Sequence, residues 1–249
     1  MKFYVLTVFP EIFSALEEYS VLGRAIKQGL IELSIKNIRD FATDRHRTTD
    51  DYPFGGGPGM VMLAEPILRA LEQVKKESEG RAYTILLGPA GERLNQDKAK
   101  ELASKSEICL ICGHYEGVDA RVREFCDEEL SLGDFVISGG ELPALILIDA
   151  LGRLTPGVLG NLESLADESF SRGLLEYDQF TRPRELHVPE ILLSGHHQAI
   201  NNWRLKNSLL RSIFFRPDLL LNRELSPQEI KALKELQENL KEIFKKIKW

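Results

Sequence analysis

The chain predicts an α/β fold: a parallel sheet with helices on both faces, followed by a small helical carboxyl-terminal part. Three observations carry this. Between residues 3 and 154 short apolar runs alternate with amphipathic segments, the pattern of repeated strand–helix units. Several of those runs end in glycine, and the carboxyl ends of strands are where open α/β sheets bind ligands. Near the carboxyl terminus a capping signal precedes a run with helical period. At 249 residues the chain can form one large domain, or one of about 160 residues plus a smaller one. The expected boundaries are 1–159 for the sheet domain, 160–175 for a polar, weakly periodic linker, and 176–249 for the helical domain.

Residues 3–9 read as a buried strand, after which Pro10 and Glu11 open a helix with Ile12, Phe13 and Leu16 on one face. A second short helix at 21–28 stops at Gly29, and 30–38 alternates Ile31, Leu33 and Ile35, a strand with one covered face. Residues 40–60 have no period and end in four glycines and two prolines, which predicts a charged lid over a polar substrate or a surface loop with tight turns. A phosphate loop is rejected there: no Gly-Lys-Ser/Thr follows, and Asp50 and Asp51 would repel an anion.

A helix at 65–76 turns Ile67, Leu68, Leu71 and Val74 inward. The strand at 81–87 ends in the turn Gly88-Pro89-Ala90-Gly91, Asn95 caps the next helix, and the strand at 107–112 runs into Gly113-His114-Tyr115-Glu116-Gly117. A short glycine-flanked strand is expected within 132–140, so that three glycine-marked strand ends would share one pocket. Residues 141–154, with Pro143 in the first turn, are apolar on nearly every side, which predicts a helix buried in a core or against another subunit. Ser226-Pro227-Gln228-Glu229 is a capping box before the stripe Ile230, Leu233, Leu236, Leu240, Ile243 and Ile247. Lys245, Lys246 and Lys248 read as a solvated helix end.

Composition narrows the class. No apolar run reaches about 18 residues, and the amino terminus reads as a strand and an acidic helix start rather than a leader, so no membrane and a cytoplasmic location are expected. Three cysteines without framework spacing fit a reducing compartment. Cys109 and Cys112 form a C-x-x-C inside a strand, where residues three apart face opposite ways, so buried thiols are expected rather than a metal or redox pair. A formal charge of −6 argues against a protein that coats nucleic acid, and no DNA partner is expected. RNA contact would need a local patch, and 191–217 offers one: Arg204, Lys206, Arg211 and Arg216 with no Asp or Glu among them. A nucleotide-binding oxidoreductase is disfavoured because Phe9 is followed by Pro-Glu-Ile instead of G-x-G-x-x-G.

Several stretches together, Asp44-Arg45-His46-Arg47 with Asp50-Asp51, FGGGPGM, LLGPAG, CGHYEGVDARV, DEELSLGDFVISGGELPALILIDALGRLTPGVLG, FTRPRE and VPEILLSGHHQAINNWR, resemble the bacterial tRNA (guanine-N1)-methyltransferase family. Its members methylate guanosine-37, next to the anticodon, from S-adenosylmethionine. The resemblance implies a deep trefoil knot in the sheet domain, which spacing alone could not suggest. It also implies an obligate homodimer with each site at the interface, tRNA as partner, and S-adenosylmethionine as donor; it leaves open whether Mg²⁺ is required.

The same resemblance assigns donor binding in three groups. Leu87 and Pro89 come first, then Gly113, Tyr115, Glu116 and Gly117. The third group is Leu132, Gly133 and Asp134, then Phe135, Val136 and Ile137, then Gly139, Gly140 and Pro143. Glu116 could face the donor's charged groups or serve as a turn residue. Arg153 is the implied catalytic arginine, and the implied base is the residue before Ser169-Phe170. Where the family carries Asp there, this chain has Asp167-Glu168: alignment favours Glu168, residue type favours Asp167. His46, Asp50, Gly59, Ser169, His197, Arg204, Lys206 and Arg211 are the expected tRNA contacts. His46 and His114 are read as polar loop residues rather than ligands, His196 and His197 as RNA contacts or caps, and Trp203 as a core anchor. Competing readings are a knotted methyltransferase acting on another RNA or on a ribose hydroxyl, and an RNA-binding module without catalysis.

Overall fold

A computed structural model describes residues 1–18, 20–159, 167–183, 187–221 and 223–246. The chain divides into two compact units, Met1–Gly160 and Asn161–Trp249. In the first, five parallel strands lie in the order β2-β1-β6-β5-β7: β1 Lys2–Thr7, β2 Glu32–Asn37, β5 Tyr83–Arg93, β6 Glu107–Cys112 and β7 Glu128–Ser131. Between β1 and β2 come α1 (Ala15–Glu18) and α2 (Ser20–Lys27), preceded by a 3-10 turn, Pro10–Phe13. A small antiparallel ribbon of β3 (Asp50–Asp51) and β4 (Val61–Met62) carries the glycine-rich loop. α3 (Ala64–Glu77), α4 (Gln96–Ala103) and α5 (Glu141–Leu154) complete the unit.

Both faces of the sheet are covered, as parallel strands require. Phe3, Val5, Ile85, Ile108 and Leu110 point to one side, where Leu22 of α2, Leu102 of α4 and Leu147 and Leu151 of α5 close over them. Tyr4, Leu6, Cys109 and Ile111 point to the other, against Ile67, Ala70 and Val74 of α3. Cys109 and Cys112 therefore fall in different cores, both fully buried and unbonded, as the strand's two-residue period requires. Burial raises both thiols well above their ordinary range.

Two local expectations differ. The sequence Gly88-Pro89-Ala90-Gly91 does not end its strand: β5 continues to Arg93 through a register shift between Leu87 and Glu92. The physical reason is the missing side chain at Gly91, where a Cβ would stand 2.2 Å from the backbone carbonyl of Glu129. The short strand expected within 132–140 is instead a loop, and the strand lies just before it, at Glu128–Ser131. Phe135 and Val136 have no sheet neighbour to pack on and stand 59% and 99% exposed.

The second unit is helical: α6 (Glu190–Leu193), α7 (His197–Phe215), α8 (Asp218–Leu221) and α9 (Pro227–Lys246). Leu174, Leu209 and Ala232 form its small core, with Leu205, Leu233 and Leu236 against it. The capping box is reciprocal: Ser226 N–H donates to Glu229 Oε2 at 2.7 Å, and Glu229 N–H donates to Ser226 Oγ at 3.3 Å. Of the expected stripe, Leu233 and Leu236 face the core whereas Ile230 and Leu240 are 42% and 45% exposed; the side chains of Ile243 and Ile247 lie outside the described residues. Residues 167–175, read from sequence as the second half of a linker, fold within this unit. Leu174 enters its core, and Leu175 N–H donates to Ser212 Oγ at 2.9 Å. The first half of that linker, 160–166, lies outside the described residues.

Candidate active site and its relatives

At the carboxyl ends of β5, β6 and β7 the sheet opens into a cleft of about 400 Å³, the size class of small-molecule sites. β5 contributes Leu87, Gly88 and Pro89. The loop after β6 contributes Gly113, Tyr115, Glu116 and Gly117. The loop after β7 supplies Leu132 and Gly133 at its start, Phe135, Val136 and Ile137 at its crest, and Gly139 and Gly140 at its end, where Pro143 of α5 follows. Of the residues expected to bind the donor, Asp134 alone turns away: its carboxylate pairs with Arg93 at 3.1 Å and is 82% exposed. A charged side chain next to an apolar crest gains more from water and an ion pair than from the cleft wall.

The two glycine loops meet directly. Gly140 N–H donates to Gly113 O at 2.7 Å, and His114 bridges to Gly139. A Cβ on Gly140 would lie 2.7 Å from Cys112 Cα, so only glycine lets the chain pass here. Tyr115 takes a positive φ of 60° and Gly117 one of 121°, which folds the 113–117 loop back over the strand end.

His114 is a wall residue that sequence reasoning left as a loop contact. Its ring lies edge-on between Phe9 and Tyr115, at 5.0 and 4.9 Å. Beneath it, Glu141 in the first turn of α5 is only 5% exposed; Oε1 accepts a hydrogen bond from Thr7 Oγ1 at 2.7 Å, and Oε2 lies 3.7 Å from His114 Nδ1. A carboxylate at a helix N-terminus is favoured by the exposed amides there. Glu129 and Arg123, paired at 3.0 Å, also line the cleft; they sit in the acidic run and the 3-10 turn, where nothing in the sequence pointed to a site. A larger concavity of about 1020 Å³ lies between α3 and the 3-10 turn Ala120–Phe125. It contains none of the strand-end glycines, so the smaller cleft is the better candidate.

The glycine-rich loop is tied to the same place. Glu116 N–H donates to Met60 O at 2.9 Å and Met62 N–H to Gly117 O at 2.9 Å. The Glu116 side chain lies across Gly59 (φ 82°), where a Cβ would meet it at 2.3 Å. Asp50 pairs across the ribbon with Met62. His46 is exposed in a turn held by Asp44, which accepts from His46 N–H at 2.9 Å. Arg153 stands half-buried in the last turn of α5.

In the helical unit a second concavity, about 340 Å³, brings Asp167 and Glu168 together with Arg172, Tyr177, Asn201 and Arg204. Asp167 is paired with Arg172 at 3.0 Å, and Glu168 is half-buried. Ser169 Oγ accepts from Glu176 N–H at 3.0 Å, which closes the loop that presents both acids. The acid-free stretch on α7 is not acid-free in space. Lys206 pairs with Glu235 at 2.7 Å, Arg211 with Asp178, and Arg216 with Asp218; Arg204 stacks on Tyr177 at 4.7 Å. The partners come from flanking segments and α9, which a one-dimensional charge count does not see. His196 caps α7, accepting from Ala199 N–H at 3.2 Å, and His197 is exposed in the first turn. Trp203 is half-buried with its ring edge on Phe180.

Residues 1–222 match the family model described as tRNA (Guanine-1)-methyltransferase TrmD. The chain belongs to this family. Relatives named tRNA (guanine-N(1)-)-methyltransferase match over nearly their whole length. One from Geotalea uraniireducens is 52% identical, covering 95% of this chain and 97% of the relative. One from Thermosipho africanus is 48% identical and covers both chains fully, at 100%. Among solved structures, the tRNA (m1G37) methyltransferase from Aquifex aeolicus superposes with a TM-score of 0.72 at 43% identity, covering 88% of this chain and 94% of that one. The TrmD family thus accounts for the five-stranded parallel sheet and its glycine loops. Among the described residues no helix is long and apolar enough to cross a membrane, and no His/Cys/Asp/Glu group suits a metal ion.

Proposed function

We propose that the protein transfers a methyl group from S-adenosylmethionine to N1 of guanosine-37 in tRNA. The observation that carries this is the cleft closed by the Gly113 and Gly140 loops, in a chain that matches the TrmD family from its first residue to 222. The cleft suits the donor: it is lined largely by apolar side chains and open backbone, with His114 Nδ1, buried and 3.7 Å from Glu141 Oε2, making no hydrogen bond in its wall. When bound, S-adenosylmethionine supplies a methyl group already made electrophilic by its sulfonium. Leu87, Leu132 and Ile137 would hold its adenine, and the amides of the glycine loops would read the adenine's edge. The close passage of those loops fits the deep trefoil knot that family membership implies.

The protein's own task is the guanine. N1 carries a proton at neutral pH, so a base must take it, and the charge spreading to O6 must be met by a cation. Glu168 takes the proton and Arg153 faces O6. Asp167, paired with Arg172, is the alternative base, favoured by residue type where alignment favours Glu168. His46, Asp50 and Gly59 on the ribbon loop, and Ser169, His197, Arg204, Lys206 and Arg211 on the helical unit, contact the tRNA.

The working form is a homodimer in the cytoplasm. Leu142 and Ile146 are 52% and 51% exposed on one face of α5, while Leu147 and Leu151 on its other face are fully buried. An apolar face on an otherwise buried helix fits a second subunit. Labelled methyl transfer to tRNA transcripts tests the activity; no transfer, or transfer that ignores the base at position 37, would overturn it.

A further inference from the structure

The ribbon loop carries two aromatic side chains in the open. Phe54 is 101% and Tyr52 77% exposed, although the same unit buries Phe3, Tyr4 and Phe13 completely. They precede a run of glycines that stands in open space: Gly55, Gly56 and Gly57 all take positive φ, at 90°, 77° and 127°, and a Cβ built on any of the three would meet nothing within 4 Å. The root of the stretch is firm. Asp50 and Asp51 pair with Met62 and Val61, Leu63 N–H donates to Thr49 O at 2.9 Å, and Asp119 N–H to Met62 O at 3.0 Å. One end of this strap is therefore the cleft loop at Glu116 and Gly117, and the other is the exposed aromatic pair.

A cation lies close by in sequence: Arg45 is exposed in the turn just before the ribbon, with His46 beside it. Exposed aromatic rings, with basic side chains for the phosphates, are the means by which proteins hold unstacked bases of single-stranded RNA, because every base offers a flat face and a flanking phosphate. We infer that Phe54 and Tyr52 form a stacking arm for unpaired anticodon-loop bases beside the target guanosine, and that the strap from Met60 to Gly117 sets its position relative to the donor cleft. This rests on tRNA being the substrate. An apolar contact with a second copy of the chain would need the same exposure, but it would not need Arg45 in the preceding turn.

The test uses the whole protein and an anticodon stem-loop carrying 2-aminopurine next to the target guanosine. Phe54→Leu should weaken stem-loop binding on the order of 10-fold and abolish the fluorescence change that stacking produces. Phe54→Trp should restore both, and donor affinity should stay within about twofold in every variant, since the rings lie outside the cleft lining. Tyr52→Leu should act in the same direction. Wild-type affinity and fluorescence in Phe54→Leu, or loss of RNA binding accompanied by a changed sedimentation coefficient, would overturn the inference. Methyl transfer by the wild type is measured alongside: its absence counts against the activity, whereas equal stem-loop affinity of wild type and Phe54→Leu counts against the stacking arm.

Discussion

Glu168 and Asp167 are adjacent, yet they are not equivalent. Asp167 is 44% exposed, whereas the Glu168 side chain, longer by one methylene, is half-buried in a cleft with Arg204 and Tyr177. Glu168→Gln should therefore lower the single-turnover rate about 100-fold or more while leaving donor affinity unchanged. Near-normal rates in that variant, with loss in Asp167→Asn, would move the base by one residue. Gly140 makes a second residue-scale case. Its φ is an ordinary −77°, so Gly140→Ala brings no backbone strain, only a methyl 2.7 Å from Cys112 Cα. That contact is with backbone and cannot yield cheaply. The variant should lose about 1–3 kcal/mol in urea unfolding, and donor binding with it. Fourteen of the fifteen residues that the family resemblance assigns to the donor line one cleft, and the glycines at strand ends pointed to a shared pocket there. His114, Glu129 and Arg123 were not visible, since their place in the wall depends on β5, β6 and β7 being neighbours.

At the scale of elements, the strands and helices with unbroken period were legible: β6 and α5 have the bounds their apolar runs suggest. The bulged end of β5 was not, because Gly88-Pro89-Ala90-Gly91 has the composition of a turn and becomes a strand only through pairing with β7. That the basic stretch on α7 has acidic neighbours was not legible for a related reason, as its acids arrive from elsewhere in the unit. Caps are local and were readable. Ser226→Ala should destabilise the helical unit by about 1 kcal/mol, seen as a lower thermal midpoint. The 3-10 turn Ala120–Phe125 has its own cap in Asp119, whose side chain accepts from Arg121 N–H and pairs with its guanidinium at 2.6 Å. That hydrogen bond outweighs burial and holds the carboxyl down to about 2, against an ordinary 3.8. A carboxyl depressed in the folded state stabilises above its unfolded pKa, and the stabilisation is lost as pH falls through the folded one. The difference in urea midpoint between the wild type and Asp119→Asn should thus be constant above about pH 4 and shrink between about pH 4 and 2.

For the whole molecule, the sequence reading of α5 as apolar all round was half of the matter: one face is core and the other is open in the single chain. Ile146→Glu should leave the fold intact, since the side chain is 51% exposed, yet should shift sedimentation toward a monomer and abolish transfer. A monomeric variant with full activity would show that each subunit works alone. A knot of the kind the family resemblance implies lies beyond any spacing argument, because apolar runs report which segments are buried and not the path the chain takes between them. The central claim meets its most direct test in methyl transfer from labelled S-adenosylmethionine to tRNA transcripts that differ only in guanosine or adenosine at position 37. Label on N1 of the guanosine transcript and none on the adenosine transcript is the expected result; equal label on both, or on neither, would contradict it.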